Sequence, residues 1–72
     1  MAVTLYTRAD CPFSEALKNR LDDESTVYVE IDVAREPRRI PELIKLTGGR
    51  RIVPVIVDRD GIKIAPDGGT PF

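Results

Sequence analysis

Apolar and polar positions alternate most cleanly over residues 27–33, where Val27, Val29, Ile31 and Val33 interleave with Tyr28, Glu30 and Asp32. A period of two predicts a β-strand. Val3 and Leu5, alternating with Thr4 and Tyr6, predict a shorter strand at the start of the chain. Between the two the period lengthens. Phe13, Ala16, Leu17 and Leu21 follow helical spacing, with Glu15, Lys18, Asn19 and Asp22 off that face. Asp10 and Cys11 stand where this helix needs a cap, and Pro12 stands at its first position, where a missing N–H costs nothing. Asp22, Asp23, Glu24 and Ser25 predict a solvated loop. A second helix starts near Pro37 and places Ile40, Leu43, Ile44 and Thr47 on one face. Pro41 is able to delay its start, and Gly48 and Gly49 supply a left-handed stop. Residues 52–57 predict a third strand, Asp60 and Gly61 a turn, and residues 62–65 a fourth strand. Residues 66–72 are turn-rich.

The order is β-α-β-α-β-β, an α/β pattern. Two strands separated by a helix form a right-handed parallel crossover, and two joined by a tight turn form an antiparallel hairpin. A mixed four-stranded sheet with helices packed on it follows, as one domain over residues 1–72. A chain this short buries only about 60 % of its unfolded surface. Its single cysteine excludes an internal disulfide, and its lack of histidine argues against a Cys/His zinc site. A net charge of −1 gives no electrostatic case for nucleic acid or an anionic membrane. No apolar run approaches the length of a membrane span, and the first six residues do not read as a signal peptide. A lone free thiol without an export signal fits a reducing cytoplasm.

The candidate chemistry centres on Cys11, at a strand–helix junction. A helix N-terminus offers unpaired N–H groups and the positive end of the dipole, both favouring thiolate over thiol. Arg8, three residues earlier, adds a positive charge. A buried structural thiol is the alternative, but Cys11 lies off the apolar helix face. Ser14, one turn on, either donates a hydrogen bond to the sulfur or is an ordinary first-turn serine. It cannot resolve a mixed disulfide, so a resolving sulfur must come from another molecule. Arg50 and Arg51 suit a carboxylate-bearing ligand or a solvated loop. Gly68 and Gly69 either bring backbone N–H groups close to a ligand or make a turn. Pro54 reads locally as a strand start.

Together these residues resemble the glutaredoxins, which have the thioredoxin fold. Leu5, Tyr6, Thr7 and Arg8 followed by Cys11, Pro12, Phe13 and Ser14 look like the family's active-site stretch with serine replacing its second cysteine. Residues 29–33 resemble its second strand, and Leu43 with residues 47–57 resembles the segment around its cis-proline loop. The resemblance implies a glutathione-dependent thiol–disulfide oxidoreductase with Cys11 as nucleophile and Ser14 beside it. It places glutathione against Arg8, Pro12, Phe13, Arg50, Arg51, Val53, Pro54, Gly68 and Gly69. Val53 pairs its backbone with the ligand, Pro54 is cis, an arginine meets the glycyl carboxylate, and Gly68 and Gly69 approach the γ-glutamyl end.

The sequence departs from the family at Ile52, where threonine is usual, and in a longer loop between Pro54 and Gly68. Thr70 and Pro71 follow the glycine pair where an acidic residue is usual. The family's further C-terminal helix has no counterpart in this sequence, so an uncovered apolar sheet face is expected, with a homodimer or altered packing to cover it. Short bacterial glutaredoxin-like proteins with selenocysteine at the nucleophile position are also similar. Two other roles are open: a homodimer sharing a glutathione-ligated [2Fe–2S] cluster, against which Pro12 argues, and a non-catalytic redox-sensing module. The enzyme reading needs no metal, and its partners are glutathione and glutathionylated or disulfide substrates.

Overall fold

A computed structural model describes residues 3–72. Met1 and Ala2, with which the reading of the leader begins, lie outside the described residues. Strand β1 (Val3–Thr7) leads to helix α1 (Pro12–Asp23) and strand β2 (Tyr28–Asp32). A 3-10 turn over Pro37–Arg39 runs into helix α2 (Ile40–Leu46), and four short strands follow: β3 (Ile52–Val53), β4 (Val55–Asp58), β5 (Gly61–Ile64) and β6 (Thr70–Pro71). The main sheet has the order β2-β1-β4-β5, with β1 parallel to β2 and the other pairs antiparallel. This is the mixed, thioredoxin-like sheet expected. The pair β3–β6 forms a separate two-stranded sheet.

The two faces of the sheet bury different clusters. Leu5 and Ile56 pack with Leu17 and Leu21 of α1. Tyr6, Ile31, Val33, Val53 and Val55 pack with Leu43 of α2, and Cys11 belongs to this second cluster. Leu5, Leu43, Val53 and Val55 are fully buried. Each such aliphatic side chain contributes about 1.5–3 kcal/mol over leaving it in water.

Five expectations need correction. Cys11 alone is the N-cap of α1, and Asp10 lies exposed in the preceding turn. The buried face of α1 is Ser14, Leu17 and Leu21, spaced by three and four, so Phe13 and Ala16 fall on an exposed flank. Asp22 and Asp23 still belong to that helix, and the chain turns only at Glu24 and Ser25, where Ser25 takes a positive φ of 56°. Residues 52–57 are not one strand. Pro54 has no N–H for the ladder and divides them into β3, which leaves for β6, and β4, which stays in the main sheet. The Val53–Pro54 peptide bond is cis. Finally, the turn-rich segment contains strand β6.

Proline effects at α2 follow expectation. Pro41 sits in its first turn and the α-helix starts at Ile40, after the 3-10 turn. Gly48 and Gly49 stop it with φ of 69° and 103°. Because α2 is only seven residues long, it covers the end of the sheet near Cys11. At the other end the register puts Val29, Thr4, Val57 and Ile62 in one row, and Val29 and Ile62 are exposed, as is Val27. The exposed apolar row therefore lies on the α2 side. Beside Ile56 on the opposite face stands Lys63, ion-paired with Asp58 at 3.5 Å. Among the described residues, no helix is long and apolar enough to cross a membrane.

Candidate active site

Strand β1 ends at Thr7, and the Cys11 N–H returns to the Arg8 carbonyl at 3.1 Å, closing a turn that points the chain into α1. Cys11 has extended backbone geometry (φ −99°, ψ 110°), as a capping residue requires. Its sulfur does what a capping oxygen usually does: it accepts a hydrogen bond from the Ser14 N–H at 3.3 Å. Pro12 takes the first helical position, and no donor is lost there. Cys11 is thus placed by the helix start itself.

Cys11 Sγ has two further neighbours. The Thr70 hydroxyl lies 3.2 Å away and the Val53 carbonyl oxygen 3.7 Å away. As a thiol, the sulfur donates to either oxygen. As a thiolate, it accepts from the Thr70 hydroxyl, and the Val53 carbonyl gives it nothing. Burial pushes the Cys11 thiol up, because a charge dislikes low dielectric. The hydroxyls of Ser14 and Thr70, then the N–H groups of Ser14 and Phe13, outweigh burial, and the thiol lies below its ordinary value. Ser14 Oγ is buried without a hydrogen-bond partner of normal geometry. Its help to the thiolate is therefore that of a nearby dipole, and the Ser14 N–H and Thr70 hydroxyl make the formed bonds.

The groups that lower the Cys11 thiol are hydrogen-bond donors, and the Arg8 guanidinium stands 5.7 Å from the Phe72 ring centroid, with Arg51 5.2 Å from the same ring. Arg51 Nε also donates to the Phe72 main-chain oxygen at 2.9 Å. Arg50 is exposed, and its backbone N–H donates to Thr47 Oγ1 at 3.0 Å. Val53, fully buried, pairs with Thr70 through β3–β6, and the buried Pro54 follows it.

The glycine pair is packed, not open. A β-carbon on Gly69 would lie 2.5 Å from the Val53 carbonyl oxygen, and one on Gly68 would lie 2.8 Å from the Phe13 ring. Gly68 also takes a φ of 110°. Glycine here lets residues 68–70 pass directly over β3 and Cys11. Asp67 anchors the approach through an ion pair with Arg20 of α1.

The structure therefore brings Arg8, Cys11, Phe13, Ser14, Arg51, Val53, Pro54, Gly68 and Gly69 to one end of the molecule. Thr70 and Phe72 join them and were not singled out as site residues. Their signal was weak: two residues after a glycine pair in a turn-rich run. An open cavity of about 510 Å³ lies elsewhere, by Glu15, Glu30, Asp32 and Glu36. Lys18 bridges Glu15 and Glu30 at 3.2 Å each, and none of these residues is among the expected site residues. Among the described residues, no group of three or more His, Cys, Asp or Glu side chains is placed to hold a metal ion.

Comparison with known proteins agrees with this geometry. A family model described as Glutaredoxin matches residues 3–62. Glutaredoxin 1 of Rickettsia felis is 38 % identical over 55 residues, covering 75 % of this chain and 54 % of that protein. Glutaredoxin 1 of Rickettsia conorii is 36 % identical over the same length, with the same coverage. The chain spans about half the length of these curated relatives. No solved structure matches. The family match covers most of the chain, from β1 into β5 and through the Cys11 junction and the cis-proline, and the chain belongs to the glutaredoxin family.

Proposed function

We propose that this chain is a glutathione-dependent thiol–disulfide oxidoreductase working through one cysteine. The observation that carries the reading is Cys11 at the N-cap of α1, with its sulfur on the Ser14 N–H at 3.3 Å and its thiol below the ordinary value. Thiol–disulfide exchange requires a thiolate, and a thiol lowered toward ambient pH combines ionisation with nucleophilicity.

In the first step the Cys11 thiolate attacks the glutathione sulfur of a mixed disulfide. One S–S bond forms as another breaks, and the substrate leaves as a thiolate that takes a proton from solvent. Cys11 is then glutathionylated. In the second step a glutathione thiolate attacks the glutathione sulfur on Cys11, releasing glutathione disulfide and the Cys11 thiolate. One glutathione thiol is consumed: its sulfur ends in glutathione disulfide with the glutathionyl group taken from the mixed disulfide, and the substrate sulfur is reduced to the thiol in exchange. Ser14 has no sulfur to offer, and Cys11 is the sole cysteine, so the resolving thiol comes from a second molecule. Arg51 is the cation for the ligand's glycyl carboxylate, and Val53 offers backbone groups for its cysteinyl residue. The partners are glutathione and glutathionylated substrates, in a reducing cytoplasm where the thiol stays free.

The test is glutathione-dependent reduction of a small glutathione mixed disulfide by the purified protein and by Cys11→Ser. The wild type is expected to turn over and the variant to match the uncatalysed rate. Equal rates for both sink the proposal.

A further inference from the structure

Cys11 is only 3 % exposed, which is too little for its sulfur to meet a disulfide in line. One of the two groups beside the sulfur, Val53, is fixed in the frame through Pro54 and β4. The other, Thr70, belongs to a segment beyond the family match, which ends at residue 62. That segment is held by few contacts. Two residue pairs join β6 to β3, the Phe72 N–H donates to the Arg51 carbonyl at 3.0 Å, and the Phe72 ring lies within cation–π reach of Arg8 and Arg51. Pro71 is exposed, and Thr70 and Phe72 are half-buried. Phe72 packs against the cluster around Cys11 and Val53 but stays half-buried, and a two-pair strand with a partly exposed anchor marks a segment that opens at lower cost than the main sheet.

What the segment occupies gives this meaning. It lies in antiparallel register on Val53, places a hydroxyl on Cys11 Sγ and engages Arg51 through a main-chain oxygen. An extended peptide bearing a thiol, docking as an added strand on β3, would use the same edge, the same sulfur and the same arginine. Both cannot be present at once.

We propose that residues 70–72 form a strap that seats on the groove beside Cys11, covers the sulfur, and lifts to admit the disulfide substrate. The strap is an internal competitor, and apparent substrate affinity is reduced by the fraction of molecules in which it is closed. This rests on Cys11 being the nucleophile of the proposed function. Phe72 is its anchor and Thr70 its contact with the sulfur.

The test measures the rate of Cys11 alkylation by iodoacetamide in the full chain, at a pH where the thiol is fully ionised. Phe72→Ala is expected to react about fivefold faster or more, as the open fraction grows. An unchanged rate with the helical circular dichroism retained overturns the proposal. A second measurement needs no variant. The Phe72 amide is expected to exchange hydrogen slowly in the reduced protein and fast once Cys11 is glutathionylated by glutathione disulfide. Equal protection in both states overturns the strap as well. Neither readout requires turnover: faster alkylation without mixed-disulfide reduction leaves the strap standing and removes the oxidoreductase.

Discussion

The two sides of the Cys11 groove are built by different means. On the α1 side, a turn from Arg8 to Cys11, a proline and one helix start fix the sulfur within a few residues of sequence. On the other side, β3, Gly69 and Thr70 reach the sulfur only after some forty to sixty residues, through long-range pairing. The first side positions the sulfur and supplies the helix-start N–H groups that lower the thiol. The second adds the Thr70 hydroxyl and sets who can reach the sulfur. Perturbing one side at a time should therefore show how far reactivity and access can be separated.

Cys11→Ser is the largest perturbation of the α1 side in function and among the smallest in structure. Serine is itself a good N-cap, so the denaturation midpoint should move little while thiol chemistry vanishes. A large loss of stability would mean that the sulfur is chiefly a core atom. Gly69→Ala is the matching blow to the other side. Its new β-carbon would meet the Val53 carbonyl oxygen, and backbone cannot swing away. Overpacking of this kind costs about 1–3 kcal/mol, and each kcal/mol lowers Tm by about 4–8 °C in a domain of this size. Thermal unfolding checks it, and an unchanged Tm would show that the crossing is looser than described.

A pH-dependent contrast lies beneath the α2 side. Tyr6 donates to Glu42, which also accepts from Arg39, and the tyrosine is pushed up to about 12, first by burial and then by the Glu42 carboxylate. A group whose folded value exceeds its unfolded value stabilises fully below the unfolded value. That contribution is lost as pH rises from 10.0 towards 12. Stability should fall across this window, and Tyr6→Phe should flatten the fall without altering Cys11 alkylation. The smallest effect is expected at Ser14. Its buried hydroxyl has no partner, and such a group costs about 1–3 kcal/mol to bury. Ser14→Ala should leave urea stability unchanged or slightly raised, and a clear loss would reveal a bond to that hydroxyl.

This division also explains what the sequence disclosed. The β1–α1–β2 crossover, the hairpin β4–β5 and the glycine stop after α2 follow from period, proline and glycine, all local signals. Cys11 was legible for the same reason. Phe13 misled because apolar spacing does not say which flank meets the sheet, and burying Ser14 instead turned the ring onto Gly68. Val27 and Val29 alternate as a strand should, and they lie exposed because α2 is too short to cover their end of the sheet. Pro54 was visible as a break in hydrogen bonding, but not the departure of β3 to another partner. That partner, β6, carries no strand period in two residues. Thr70 and Phe72 become site residues only through pairing with Val53 and contact with Arg8 and Arg51.

Titration of the thiolate by its ultraviolet absorbance, in the wild type against Cys11→Ser as blank, tests the central claim most directly. The same titration of the urea-unfolded protein supplies the ordinary value for this thiol. With the Ser14 and Phe13 N–H groups and the Thr70 hydroxyl outweighing burial, Cys11 should ionise below that value. A midpoint at or above it would mean that burial wins, and that Cys11 is a core thiol at a helix cap.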